Sequence, residues 1–355
     1  MAKVKRKNET YAIIIVFLIT IYFIKSKTHE ILIDTVVSWI GIVLIVSLMI
    51  IIIREIERYQ EKLQDISYLE GLTGGVTENL YKSYDFLDSN ITKNFYRIRK
   101  IERELRKAIE NNEFYLCYQP KINIFTDRIV GAEALLRWNN KELGMISPEE
   151  FIPIAEKNAL IKLIDIYVLE RVCMHIKEWI DKSIEAIPIS VNLSKVHLES
   201  NTLLDRIQII TRKYNIPTEL IEFEITEGIY TGNINKIVVL IDKLREAGFR
   251  ISIDDFGKGD SSLGLLKNIS FDVLKIDRSF FIEQNDIERA QKIIKKVIDL
   301  AHELGMDIVA EGIEMKEQVD FLKEVDCSVV QGFYFARPMQ WKDFNIFLNN
   351  INMKS

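Results

Sequence analysis

From about residue 111 the sequence alternates short β-rich runs with amphipathic stretches, and no other feature narrows the fold as far. The runs with strand character are Phe114–Ile122, Ile129–Leu136, Ile187–Leu193, Leu220–Ile225, Phe249–Ile253, Val273–Ile276, Ile308–Ala310 and Val329–Phe335. Amphipathic stretches such as Ile234–Glu246 and Asp286–Leu304 separate most of them. Eight strands with intervening helices, in a segment close to the ~250 residues such a fold takes, predict an α/β protein of the TIM (β/α)8 barrel type. Only Asn123–Arg128 separates the first two runs, with Thr126-Asp127 in the middle. That gap suits a hairpin, so the expected barrel is a modified one with an antiparallel first pair.

Polar residues recur in or at the C-terminal ends of these runs: Glu133, Asn192, Glu224, Asp254 with Asp255, Lys275 with Asp277, Glu311 and Gln331. Barrel active sites are built from those ends, because the loops there converge on one face. A carboxylate series among apolar neighbours is hard to explain as solvated surface. Packed together without cations, the carboxylates would repel one another and raise their own pKa values. Divalent metals remove that cost. The adjacent pair Asp254-Asp255 suits one carboxylate bridging two metals ~3.5–4 Å apart while its neighbour holds one of them. Taken alone, an Asp-Asp pair reads equally as a strand-end cap.

Composition narrows the metal. The chain has four histidines and three scattered cysteines, Cys117, Cys173 and Cys327, with no C-x-x-C pair. A zinc site or disulfide framework is not expected, and oxygen ligands point to Mg2+ or Mn2+. A net charge of −5 offers no basic surface, so a nucleic-acid polymer is not an expected partner.

Ahead of the barrel lie two apolar runs, residues 11–24 and 35–53. The second approaches the ~20 residues of a spanning helix, and the first is extended by Asn8 to Thr10 and a snorkelling Lys25. Lys3, Lys5, Arg6 and Lys7 would also suit the basic end of a signal peptide, but no A-x-A-like site follows. The reading is a two-helix transmembrane hairpin over 1–53, preceding the barrel. Basic residues before the first run, and Arg54 and Arg58 after the second, predict a multi-pass protein of the cytoplasmic membrane with its main domain facing the cytoplasm. Residues 54–104 form a helical linker, in which Ile56, Tyr59, Leu63 and Ile66 keep a heptad spacing. It reads either as a dimeric signalling helix or as a spacer packed on its own domain.

Residues 105–355 make up the catalytic domain, and motifs within them carry a family resemblance. Glu133-Ala134-Leu135, Tyr118-Gln119-Pro120, Asn192-Leu193-Ser194, Glu224-Ile225-Thr226-Glu227, Asp254-Asp255-Phe256-Gly257, Lys275-Ile276-Asp277, Ala310-Glu311-Gly312 and Gln331-Gly332-Phe333 occur in order. Together they resemble the EAL-domain cyclic di-GMP phosphodiesterases. The resemblance implies a barrel homodimer that binds two Mg2+ or Mn2+ ions and cleaves cyclic di-GMP to linear pGpG. It implies Glu133, Asn192, Glu224 and Asp254 as ligands of one metal, and Asp254 and Asp255, helped by Glu311, as those of the other. Lys275 would orient or deprotonate the attacking water, with Glu133 and Glu311 also in catalytic positions. Gln119, Leu135, Arg137, Asp277 and Gln331 would contact substrate or its surroundings, Arg137 reading equally as a structural salt-bridge partner. Glu227 would hold the loop after Asp255. In that loop Lys258 and Asp260 stand where the family most often has Thr and Tyr, which bears on regulation. A catalytically silent cyclic di-GMP receptor is the alternative, and a barrel phosphoesterase for another substrate a more distant one.

Overall fold

The computed structural model describes residues 97–352 apart from 200–201, 229–233, 259–261 and 282–286. The expected membrane hairpin and most of the expected linker, residues 54–96, lie outside the described residues. Among the described residues no helix is long and apolar enough to cross a membrane.

A helix over residues 97–110, α1, leads into the barrel. Ile101, Leu105 and Ala108 share one face of it and are buried in the core. The boundary expected between residues 104 and 105 therefore falls inside an element that packs on the barrel.

The strands are β1 Phe114–Asn123, β2 Arg128–Asn140, β3 Gly144–Ile146, β4 Ile189–Asn192, β5 Ile221–Thr226, β6 Arg250–Phe256, β7 Val273–Ile276, β8 Asp307–Glu311, β9 Val329–Gln331 and β10 Met339–Gln340. Eight of them close a ring in the order β1, β2, β4, β5, β6, β7, β8, β9, with β9 pairing back to β1. β1 runs antiparallel to both its neighbours, and every other ring pair is parallel. The β1–β2 hairpin turns on Asn123, whose Oδ1 accepts from the Phe125 and Thr126 amides, with Asp127 at φ +54° closing the turn.

The short strands β3 and β10 were not expected, and β2 runs four residues further than predicted because β3 pairs beside its end. The last run ends at Gln331 instead of Phe335, because the Phe335 and Ala336 amides both donate to the Gly332 carbonyl and turn the chain.

Helices α2 Pro148–Lys157, α3 Ile161–Asp181, α4 Leu203–Tyr214, α5 Ile234–Glu246, α6 Ser262–Asn268, α7 Ile287–Glu303, α8 Lys316–Glu324 and α9 Trp341–Asn352 alternate with the strands. The longer ones each bury one stripe at helical spacing. In α3 that stripe is Ile164, Val168, Val172, Ile176 and Trp179; in α7 it is Ala290, Ile294, Ile298 and Ala301. Each buried Ile or Leu contributes ~1.5–3 kcal/mol, so the helix-to-strand layer is the main source of stability. With that layer apolar, the polar side chains of the strands are left to the interior of the ring.

Gly332, just after β9, has no room for a side chain: a Cβ there would lie 2.0 Å from the Ile313 carbonyl oxygen and 2.3 Å from its nitrogen. Since the obstacle is backbone, Gly332→Ala should destabilise the protein by ~1–3 kcal/mol, read as a lower midpoint in thermal or urea unfolding. An unchanged midpoint would mean that the β8 and β9 loops are not locked together.

Candidate active site

Because a strand points alternate residues to one face, residues two apart in the ring share the interior. Glu222 and Glu224 of β5, Ser252 and Asp254 of β6, and Gln119 and Lys121 of β1 all follow this rule and all are buried. The upper layer converges on one cation. Lys275 of β7, 1% exposed, places its Nζ 2.6 Å from Glu224, 2.7 Å from Glu311, 2.9 Å from Asp254 and 3.7 Å from Glu133. These five residues come from five different strands.

Burial opposes the charge on Lys275, but the four carboxylates outweigh it and hold the group well above an ordinary lysine, so it is an ammonium. The acids divide. Burial would raise Glu224, yet Lys275 and Lys121 bring it down to about 2. Burial and the neighbouring Glu224 charge push Glu133 up to about 7. Burial, with Asp254 and Glu133 nearby, carries Glu311 well above its usual range. Negative charge exceeds positive here, and that excess, together with burial, is what raises Glu133 and Glu311.

Around this centre, Gln331 Nε2 donates to Glu133 Oε2 at 2.6 Å and to Gln119 Oε1 at 3.1 Å, and Gln119 Nε2 donates to the Ala336 carbonyl. Asn192 Nδ2 donates to Glu133 Oε1 at 3.1 Å. Asp255 follows Asp254 in a left-handed conformation, φ +57°, which turns its carboxylate aside. There it meets Lys258 Nζ at 3.4 Å, and burial and the Asp254 charge raise its pKa. Glu227 is buried, and its Oε2 accepts from the Gly257 amide at 3.2 Å, holding the start of this loop. Asp260 lies outside the described residues.

Asp277 is buried and occupied locally: its Oδ1 caps the turn at residues 278–280 by accepting from Ser279 N. Leu135 and Arg137 line a cavity of about 250 Å³ with Ile152, Glu156, Asp165 and Asn192. Arg137 donates to the Leu136 carbonyl at 2.8 Å and pairs with no carboxylate among the described residues. This favours a free guanidinium over the salt-bridge reading.

The donor chemistry fits hard divalent cations. Glu133, Glu224, Asp254, Asp255, Glu311 and Asn192 offer only oxygen ligands, and the acidic excess asks for positive charge. Gln331 Oε1 is buried without a hydrogen-bond partner. Glu311 Oε1 lies within ion-pair distance of Lys275 yet makes no hydrogen bond. Among the described residues, however, no three acidic, histidine or cysteine side chains are grouped in metal-holding geometry; the acids close on Lys275 instead.

Two interior residues were missed in the sequence: Lys121 and Glu222. Lys121 Nζ lies 2.9 Å from Glu222 and 3.1 Å from Glu224. Their signal was spacing, since each stands two residues from a residue already singled out on the same strand.

Comparison with known proteins agrees with this fold. The family described as EAL domain matches residues 102–338. The signalling protein YkoW of Bacillus subtilis is 35% identical over 76% of this chain and 33% of its own length. The cyclic di-GMP phosphodiesterase NbdA of Pseudomonas aeruginosa is 34% identical over 70% of this chain and 32% of its own. The chain thus spans about a third of the length of these relatives. Among solved structures, the PaMucR phosphodiesterase in complex with c-di-GMP superposes with a TM-score of 0.64 at 34% identity, covering 69% of this chain and 99% of that one.

A raised carboxyl pKa contributes stability that is complete at low pH and lost as pH rises through the folded value. For Glu133 that window runs from the ordinary 4.5 up to about 7. In EDTA, Glu133→Gln should therefore unfold at a higher temperature than wild type at pH 8, and the difference should shrink towards pH 5. A pH-independent difference in calorimetry would mean that Glu133 is not the strained acid.

Proposed function

Because the chain belongs to the EAL-domain family, we propose that it hydrolyses one phosphodiester bond of cyclic di-GMP, leaving linear pGpG. The observation that carries this reading is the convergence of Glu133, Glu224, Asp254 and Glu311 on Lys275 at the C-terminal mouth of the barrel. Glu133, Asn192, Glu224 and Asp254 would hold one Mg2+ or Mn2+, and Asp254, Asp255 and Glu311 a second. Bound there, the cations would supply Lewis-acid activation of water and of the phosphoryl oxygens.

The chain's own groups do the rest. Lys275, an ammonium in this arrangement, donates hydrogen bonds and so orients a water and offsets charge building on the phosphoryl oxygens. Deprotonating that water is the role it does not suit while the four acids surround it. Arg137, with no carboxylate partner among the described residues, presents a planar fork to a phosphate at the edge of the Leu135 cavity. Gln119 and Gln331 brace Glu133 from the side. Asp277, expected against substrate, also caps the turn at residues 278–280 through Ser279 N.

Cyclic di-GMP incubated with the purified full chain and Mn2+ should yield pGpG. Asp254→Asn should lower kcat by more than the ~100-fold that loss of a supporting contact reaches, without loss of fold. Lys275→Ala should lower kcat as far with a lower unfolding temperature, because it leaves the buried acids without their cation. Binding without cleavage would establish a silent receptor instead, and turnover surviving EDTA would rule out the two cations. The family-like dimer belongs to this reading, and specific activity that rises with protein concentration would support it.

We also propose that the apolar runs at residues 11–24 and 35–53 anchor the chain as a hairpin, with the barrel in the cytoplasm where cyclic di-GMP is made. Support comes from their length and from the basic residues flanking them. Topology reporters fused after residue 28 and after Ser355 should lie on opposite sides of the membrane. An external signal from the C-terminal fusion would overturn both orientation and substrate.

A further inference from the structure

Beneath the catalytic layer the barrel is filled with charge where it could be apolar. Lys121 of β1 is 6% exposed and Glu222 of β5 is 7% exposed. Burying an ion pair is seldom a net gain in stability over well-packed apolar side chains, so the pair calls for another explanation. Its position supplies one. Glu224 is fully buried between two ammonium groups: Lys121 holds Oε1 at 3.1 Å from below, and Lys275 holds Oε2 at 2.6 Å from above. Glu222 in turn anchors Lys121 at 2.9 Å.

We propose that Lys121 is a positioning residue for the metal centre: by holding Oε1 it leaves Glu224 a single oxygen, Oε2, to offer upward. This rests on the reading of Glu224 as a metal ligand. Lys275 and a cation compete for that same Oε2, whereas Oε1 faces the layer below. With the lower anchor in place the carboxylate plane cannot rotate, and Glu224 binds through one oxygen in a set direction. Without it the Ser190 hydroxyl supplies the remaining hydrogen bond to the carboxylate besides Lys275, and both oxygens turn more readily towards Lys275. The ion pair then shields Glu224 from the cation.

A plain charge effect predicts the opposite sign, because removing an ammonium makes the site more negative and favours a cation. The test therefore keeps charge balanced. Mn2+ affinity is read on the full chain by the electron paramagnetic resonance of free Mn2+, together with thermal unfolding, in wild type, Glu222→Gln and the double variant Lys121→Met with Glu222→Gln. Glu222→Gln, which leaves Lys121 on Glu224, should stay within about 3-fold of wild type. The double variant should bind Mn2+ about 10–100-fold more weakly, the size typical of lost ligand support, at an unfolding temperature close to that of Glu222→Gln. A folded double variant that binds Mn2+ as tightly as wild type, whose net charge it shares, overturns the proposal. If Met at 121 prevents folding, Lys121→Gln on the Glu222→Gln background makes the same comparison, with the same outcomes. Wild-type protein that binds no Mn2+ at all would instead overturn the two-cation reading on which this proposal stands.

Discussion

Four carboxylates from four strands close on the single ammonium of Lys275, and the mouth of the barrel is organised by that contact. Buried acids at such spacing repel one another, and without the lysine each would have to take up a proton or leave the interior. One ammonium does not balance four acids. The remainder appears as a split, with Glu224 held low by Lys275 and Lys121 and Glu133 and Glu311 pushed up. The site is thus strained in a definite direction, towards gaining positive charge. Stability and the proposed function oppose each other here, since the charge excess that weakens the bare protein is what the proposed cations would offset.

The ring geometry makes this convergence reachable. Strand pairing sets Glu224 beside Asn192, Thr226 beside Asp254, and Glu311 beside Gln331, so each interior side chain has a fixed height. The antiparallel β1 contributes from the opposite direction. Gln119 stands level with Glu133 across the hairpin and reaches Gln331 on its other side. One strand thereby ties the two ends of the ring together at the level of the site, while two residues on Lys121 reaches the layer below.

Loops then decide which polar residues of the motifs face the centre. Asp255 adjoins Asp254 in the chain but is swung outward by its positive φ, and its nearest cation is Lys258. Asp277 is two residues from Lys275; its carboxylate caps the following turn and also meets the side chain of Asp255. The buried Glu227 meets the loop through the Gly257 amide. Neighbours in sequence therefore meet different partners: Asp254 and Lys275 pair with each other, while Asp255 meets Lys258 and Asp277 caps a turn.

Sequence alone was enough for the barrel, its antiparallel opening and the list of strand-end acids, because strand period and loop length are local properties that need no partner to be read. The residues at 133, 192, 224, 254, 275, 311 and 331 were visible because they are polar where the pattern demands apolar. Tertiary structure decided what that list means. Which acid keeps its charge depends on distances across the ring, and no local pattern contains them. Lys121 and Glu222 were passed over because a lysine after a proline, or a glutamate in a short strand, looks solvated until the ring closes over it. The end of β2 moved for a non-local reason, a partner strand beside it, whereas β9 ended early in a local turn on Gly332 that a contact with Ile313 holds in place. Local sequence sets which side chains are available, whereas only closure of the ring sets how far apart their charges lie, and that separation fixes the chemistry.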